Sequence, residues 1–267
     1  MSRSIVVTGC GQGIGRAILE RLAGDGVAVL GVERDEALAA SAQTWLGDRG
    51  EVLVADTADT TTPPRAAASA TQMAPLAGWV NNAGIGTPTN LHAPVAADVE
   101  RVLAVNLFGY YWGCAAAVQT FLQQRSEGAI VNISSVHGRA AYSNAVAYDV
   151  SKAGVDALTR YIAVEYGPVG IRANAIAPGG VRTPLFEKSV AESDDPVKAE
   201  QQAAAPHPLR RVAEPREIAA VAAFLLSEDA SFVTGASLAV DGGLTARCCD
   251  FPLDPAVAAQ YGLEATA

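Results

Sequence analysis

The chain is poor in the side chains that build metal centres and disulfide frameworks. Its four cysteines, Cys10, Cys114, Cys248 and Cys249, and its three histidines, His92, His137 and His207, show no metal-ligand spacing. Adjacent Cys248 and Cys249 would make a strained disulfide, so reduced thiols in a reducing compartment are the expectation. Basic runs are missing as well. Lys and Arg number 19 against 28 Asp and Glu, and a formal charge of −9 argues against a nucleic-acid or anionic-membrane partner. No apolar run has the makings of a membrane span: the most apolar long segment, 102–122, carries Asn106 and Gln119 and reads as a buried helix. The run "SIVVTG" near the start is too short for a signal peptide, which leaves a soluble, cytoplasmic protein as the expectation. Repeats, low-complexity tracts and linkers are absent too, so residues 1–267 are read as one domain.

What the chain does have is hydrophobic content, 50 % of its residues, laid out as β-rich runs alternating with helical spacing. Residues 4–9, 27–32, 51–56, 78–84, 128–135, 171–179 and 237–243 read as strands, and 14–24, 98–124, 146–167 and 214–227 as helices. Continuous apolar strands in such an alternation predict an α/β fold with a parallel sheet covered on both faces. Residues 57–77 contain Pro63, Pro64 and Pro75, which weakens any helix there. Residues 184–211, polar and proline-flanked, read as an excursion over a site, and 244–267 as a C-terminal tail.

The stretch "VVTGCGQGIGRAI" follows the first strand and opens the first helix. Gly9, Gly13 and Gly15 give the spacing GxxxGxG, which permits a tight turn and seats a pyrophosphate on the helix N-terminus; Gln12 and Ile14 lie in the same turn. Glu33 ends the second strand, where a carboxylate can accept from a ribose 2′-hydroxyl and would repel a 2′-phosphate. That favours NAD over NADP, although the adjacent Arg34 can accompany a 2′-phosphate. Asp56, with Thr57 beside it, closes the third strand, either to accept from an adenine amino group or simply to form a turn.

Tyr148 and Lys152 stand at i and i+4 on a predicted helix, so they share one face. Alone they would be a surface pair. A phenol with an ordinary pKa of about 10 is a poor base at neutral pH, and a nearby ammonium would lower that value. Taken in order, "TGCGQGIG" (8–15), "NNAG" (81–84), Asn106 in "VNLFG", "NISS" (132–135), "YDVSK" (148–152) and "APGG" (177–180) resemble the short-chain dehydrogenase/reductase family over residues 4–243.

The resemblance implies a single-domain Rossmann-type, doubly wound fold with a central, mainly parallel, seven-stranded sheet and helices on both faces. It also implies hydride transfer between a nicotinamide and an alcohol/carbonyl pair. The family's Asn–Ser–Tyr–Lys tetrad falls on Asn106, Ser135, Tyr148 and Lys152. In these roles Tyr148 is the general acid/base, Ser135 donates to the substrate oxygen, Lys152 tunes Tyr148 and holds the nicotinamide ribose, and Asn106 holds a water. Ser135 is the match because Ser134 would point the other way under strand alternation. Val150 departs from the family's usual alanine. Asn82 would bond backbone, Ala83 and Gly84 would pass the adenosine ribose, and Pro178, Gly179, Val181 and Thr183 would serve the nicotinamide side.

Helices 98–124 and 146–167 are apolar over more than one face, which fits a subunit interface, and the family points to a homotetramer, with a dimer as the smaller option. An NAD-linked secondary-alcohol dehydrogenase is favoured. An NADPH-dependent 3-oxoacyl-type reductase is the first alternative, and a non-catalytic dinucleotide-sensing protein the remote one. The substrate wall is expected from 136–145 and 184–211, with His137, Tyr142, Asn144 and Phe186 exposed to the ligand and His92 and His207 on the surface.

Overall fold

The seven apolar runs become seven strands: β1 (Ser4–Thr8), β2 (Ala28–Glu33), β3 (Gly50–Val54), β4 (Leu76–Asn81), β5 (Gly128–Ile133), β6 (Ile171–Pro178) and β7 (Ser237–Val240). The structure is a computed structural model and describes residues 2–248 and 254–261. Every residue of β1, β2 and β5 is buried, as strands covered on both faces must be. The strands form one sheet in the order β3-β2-β1-β4-β5-β6-β7, and every pairing is parallel, so the expected mainly parallel sheet is wholly so.

Ten α-helices are described: α1 (Gly13–Gly24), α2 (Glu36–Leu46), α3 (Thr62–Met73), α4 (Ala96–Leu103), α5 (Gly109–Gln124), α6 (Val146–Tyr166), α7 (Pro184–Ala191), α8 (Pro196–Ala204), α9 (Pro215–Leu226) and α10 (Pro255–Tyr261). Side chains leave a strand alternately up and down, and this divides the core into two layers. Ile5, Val7 and Val29 pack with Ile18 and Leu22 of α1 and with Ile218 and Leu225 of α9. Val6, Leu30 and Trp79 pack with Ala66 of α3, Phe121 of α5 and Ile162 of α6. The result is a three-layer α/β sandwich with helices on both faces of the sheet.

Three segments differ from expectation. Residues 57–77 hold a regular helix, α3, because Pro63 and Pro64 occupy its first turn, where backbone N–H groups have no intrahelical acceptor to lose. The single helix expected over 98–124 is interrupted at Ala104–Phe108 by a π-helical turn that contains Asn106. Residues 184–211 fold into α7 and α8, neither of which buries a residue; Thr183 and Asp195 cap them by accepting from Phe186 N and Lys198 N. In the tail, Ala258 of α10 is buried. Cys249 and the rest of 249–253 and 262–267 lie outside the described residues.

Phe121 is fully buried where α5 crosses β5. Phe121→Ala is expected to destabilise the protein by about 3–5 kcal/mol, read as a lower denaturant midpoint at unchanged slope.

Candidate active site

β1 and β4 are neighbours in the sheet, but the chain leaves β1 toward β2 and leaves β4 toward β5. Where the order reverses, a crevice opens beyond the carboxyl ends of the strands. Here it is a cleft of about 1370 Å³. Thr8 and Asn82 stitch its floor: Thr8 Oγ1 accepts from Asn82 N at 2.9 Å and Ala83 N at 3.1 Å, and Asn82 Nδ2 donates to the carbonyls of Thr8 and Gly9, both at 3.0 Å. The expected backbone bonding by Asn82 is therefore present.

The glycine turn fits a dinucleotide. Gly9 and Gly13 adopt φ of +63° and +56°, a region L side chains rarely enter. A Cβ on Gly13 would stand 3.2 Å from Thr183 Cγ2 and fill the gap between the turn and the 181–184 segment. A Cβ on Gly15 would lie 2.1 Å from the Gly9 carbonyl oxygen, so that glycine sets how closely α1 approaches the strand end. Gln12 starts α1 without a side-chain cap, which leaves first-turn N–H groups available to an anion.

On the β2–β3 side of the cleft, Glu33 is 9 % exposed, and its carboxylate accepts from Gly11 N at 3.0 Å, Arg34 N at 2.9 Å and Asp35 N at 3.1 Å. Asp56 accepts from Ala58 N at 2.9 Å and pairs with Arg101 at 2.7 Å. Burial alone would raise the Asp56 carboxyl, but the Ala58 N–H and the Arg101 guanidinium outweigh it and hold the carboxyl below its usual range.

On the other side stands the cluster around Lys152. The buried stripe of α6 carries Ala147, Val155 and Ile162 together with Ser151, Lys152, Asp156 and Thr159, so polar groups sit where an ordinary amphipathic helix would be apolar. Lys152 is 3 % exposed, and its Nζ donates to the Ile133 carbonyl at 2.8 Å and to Tyr110 Oη at 3.3 Å. Tyr110 Oη itself donates to the same carbonyl at 3.0 Å. Burial brings Lys152 down from 10.5 to about 7, with Asp156 opposing the shift. Burial also raises the Tyr148 phenol; the contact with the Ser135 hydroxyl pulls it back, and Asp149 adds to the rise. Thus, in the protein without ligand, the expected lowering of Tyr148 by Lys152 is not what the structure gives, because desolvation is the larger effect. Lys152 Nζ lies 5.5 Å from the Tyr148 ring centroid and is aimed at Ile133.

All of the sequence-derived site residues line this one cleft except Gly15 and Asn106. Asn106 is fully buried behind it and clips Ile85, accepting from its N–H at 2.9 Å and donating to its carbonyl at 2.8 Å. Its side chain is thus a splint for the 83–86 segment rather than a group open to the cleft. Ser134 commits its hydroxyl to the Lys152 carbonyl, donating at 3.3 Å, so of the two serines at the end of β5 it is the one tied to α6. Val150 is half exposed and outside the cleft, so the departure at that position leaves the pocket untouched.

His137 lines the cleft as expected, with Nδ1 2.7 Å from Asp149 Oδ1 and its ring edge-on to Tyr148 at 5.3 Å. Tyr142, Asn144 and Phe186 line it too, while His92 is exposed. His207, expected on the surface, is instead buried and part of the cleft wall, because residues 206–209 turn inward to pack against Gly179 and Gly242. Sequence reasoning missed Tyr110 and Thr8. Tyr110 stands at i+4 from Asn106, a spacing that could have drawn notice; Thr8 opens the "TGCGQGIG" run, in which the glycines drew the attention.

With this geometry in view, the chain can be compared with known proteins. A family model described as Enoyl-(Acyl carrier protein) reductase matches residues 9–245. The chain is similar to 3beta-hydroxysteroid dehydrogenase 1 of Eggerthella lenta, 36 % identical over 248 residues that cover 91 % of this chain and 94 % of that protein. It is similar to levodione reductase of Leifsonia aquatica, 39 % identical over 253 residues that cover 91 % of this chain and 94 % of that protein. A crystal structure of levodione reductase superposes with a TM-score of 0.86 at 36 % identity, covering 91 % of this chain and 98 % of that one.

The depressed Lys152 makes stability depend on pH. Between about 7 and 10.5 the unfolded chain binds a proton at this lysine that the folded chain does not, so stability rises with pH across that window. Below about 7 both states bind it and the folded protein bears the full penalty of a buried charge. Lys152→Met is therefore expected to raise the melting temperature of the ligand-free protein most at pH 6–7, with the gain shrinking by roughly half or more by pH 10. Parallel melting curves of the two proteins across pH would refute the shift.

Proposed function

The chain belongs to the short-chain dehydrogenase/reductase family, whose members use nicotinamide dinucleotides to interconvert hydroxyl and keto groups, and from that premise we propose that it is an NAD-dependent oxidoreductase of secondary alcohols and their ketones with Tyr148 as general acid/base. The observation that carries the proposal is that Ser135, Tyr148 and Lys152 line the same cleft as the Gly9–Gly13 turn and Glu33. A bound nicotinamide supplies the hydride acceptor or donor.

The protein's own groups do the rest. Gly9, Gln12, Gly13 and Ile14 would seat the pyrophosphate, Asp56, Thr57, Ala83 and Gly84 the adenosine half, and Pro178, Gly179, Val181 and Thr183 the nicotinamide half. Ser135 Oγ donates to the substrate oxygen and orients it. Tyr148 Oη takes the carbinol proton during oxidation and returns one during reduction. Lys152, held by Ile133 and Tyr110, loses and regains its own proton near neutral pH, which suits it to exchange protons with the phenol and to hold the nicotinamide ribose. Asn106 acts one step back by fixing the Ile85 peptide.

NAD is favoured over NADP because Glu33 is fixed as an acceptor at the end of β2, where a 2′-phosphate would meet its charge. Arg34 and Arg101 on the same side keep the NADPH-linked, 3-oxoacyl-type reading open as the second choice. A homotetramer is the assembly we favour, since Phe108, Tyr111 and Trp112 near the start of α5 and Tyr161 and Val164 of α6 are exposed and apolar.

A panel of secondary alcohols with NAD⁺, followed through the absorbance of the reduced nicotinamide, tests the reading. Tyr148→Phe is expected to lower kcat by about 10²–10⁴-fold while dinucleotide binding, read by fluorescence titration, persists. Unchanged turnover in that variant would remove Tyr148 from the chemistry. Glu33→Ser is expected to lower the NAD⁺-over-NADP⁺ preference in kcat/KM by about ten-fold or more; an unaltered ratio would refute the role given to Glu33.

A further inference from the structure

We infer that the substrate carries a second hydroxyl one or two carbons from its carbinol, and that His137 accepts a hydrogen bond from it through Nε2. This rests on the dehydrogenase reading above and extends it to substrate class. The first observation is where the ring stands. Ser135 Oγ accepts from His137 N at 3.2 Å, which closes a short 3-10 turn over Val136–Gly138 and sets the histidine directly after the serine. Because that oxygen accepts within its own turn, its hydrogen remains for the substrate. The imidazole then lies edge-on to Tyr148, with 5.3 Å between ring centroids, and His137, Ser135 and Tyr148 all line the cleft. A ring this close to both groups that handle the carbinol is within reach of a neighbouring substituent.

The ring is also fixed, and in one tautomer. Nδ1 stands 2.7 Å from Asp149 Oδ1, and Asp149 Oδ2 accepts from Tyr142 N at 3.1 Å. A carboxylate offers only acceptors, so the hydrogen of the first contact sits on Nδ1, and an imidazole that donates through one nitrogen accepts through the other. The Tyr142 ring packs against the same imidazole at 5.3 Å, which leaves it little freedom to turn. Asp149 does not line the cleft, so Nδ1 points behind the wall and Nε2, on the opposite edge of the ring, toward the cleft. Nε2 makes no hydrogen bond to the described residues, and it is not sealed off: His207 Nδ1 is the one buried side-chain nitrogen or oxygen among them that lacks a partner. An open acceptor is hydrated in the free protein and loses that water when a ligand covers it. A substrate hydroxyl replaces the lost bond, whereas a hydrogen or a methyl group leaves the nitrogen unpaired.

The test is steady-state kinetics of the full chain, with NAD⁺ and in parallel with NADP⁺, on matched sets of compounds: 1,2- and 1,3-diols, their monomethyl ethers and their deoxy secondary alcohols. The diol is expected to exceed both of its counterparts by about ten-fold or more in kcat/KM, the scale of an acceptor left unpaired on burial. His137→Asn, whose amide is too short to reach the Nε2 position, is expected to bring the diol-to-deoxy ratio toward one. Asp149→Ala, which frees the ring, is expected to lower that ratio in part, and an unmoved ratio there removes Asp149 from its positioning role. The comparison among compounds on the unaltered protein needs no variant and holds even where a variant fails to fold. If ether and deoxy alcohol match the diol, the inference is overturned and the dehydrogenase reading stands. If the ether matches the diol and both exceed the deoxy alcohol, Nε2 donates and the acceptor role is overturned. A diol preference that persists in His137→Asn overturns the assignment to His137. If no compound is turned over with either cofactor, the dehydrogenase reading falls and the inference falls with it.

Discussion

Parallel pairing along the entire sheet is the constraint from which the site follows. It sends the carboxyl end of every strand to one edge, and the reversal of order between β1 and β4 opens a crevice there. Residues far apart in sequence then meet without special devices. Gly9 follows β1, Glu33 ends β2, Asn82 follows β4, Ser135 follows β5 and Gly179 follows β6, and each lies at or just past a strand terminus. Thr8 and Asn82 close the crevice floor by tying β1 to β4 at the point where the loops diverge. A second tie joins the loop after β4 to the start of α6. Thr89 N donates to the Asn144 carbonyl at 2.8 Å, and Thr89 Oγ1 accepts from Ala147 N at 3.0 Å, so the helix that carries Tyr148 and Lys152 begins from a fixed point.

Within that frame, desolvation gives the cluster its character. Lys152 is surrounded by Tyr110, Ile133 and the polar stripe of α6, and an ammonium so placed is stable only because Ile133 and Tyr110 accept from it and Asp156 lies nearby. The same burial raises Tyr148 and drives Tyr110 well above the ordinary phenol range, so Tyr110 keeps the proton that it donates to the Ile133 carbonyl while its oxygen accepts from Lys152. Two phenols and one amine thus share a dry region with separate duties: Tyr110 orients the amine, and Tyr148 faces the cleft. Cys10 and Cys114, pushed by burial to about 12, remain thiols and take no part.

Much of this was legible in the sequence because it depends on local pattern. Strand positions came from apolar runs, the turn from Gly9, Gly13 and Gly15, and the residues of the cleft from short motifs at strand ends. What was not legible depends on contacts between distant segments. Nothing in "GYYWG" tells which tyrosine turns inward, and only the packing of α5 on β5 selects Tyr110 over Tyr111. Pro63 and Pro64 read as helix breakers until their place in the first turn is known. His207 looked like a surface residue in a polar stretch, and it is buried because the chain after α8 turns back under Gly179 and Gly180. The charge relation of Tyr148 and Lys152 was read from spacing on one helix, whereas the direction of each shift follows from how deeply the helix is covered.

The segment that covers the cleft is built on different terms from the rest. α7 and α8 bury no residue, while α6 buries eight. Their attachment is polar: Arg182 pairs with both Glu200 and Glu214, Thr183 caps α7, and His207 holds Gly180 where the excursion rejoins the wall. Exposed ion pairs contribute little each, and helices without a buried face are the first to open when a structure fluctuates locally. The Tyr148–Lys152 side of the cleft is thus set in the core, and the α7–α8 side is the more lightly attached of the two. Rigid floor and lightly held cover divide along the sequence at Thr183, the residue whose side chain caps α7 and whose methyl group faces Gly13 across the cleft.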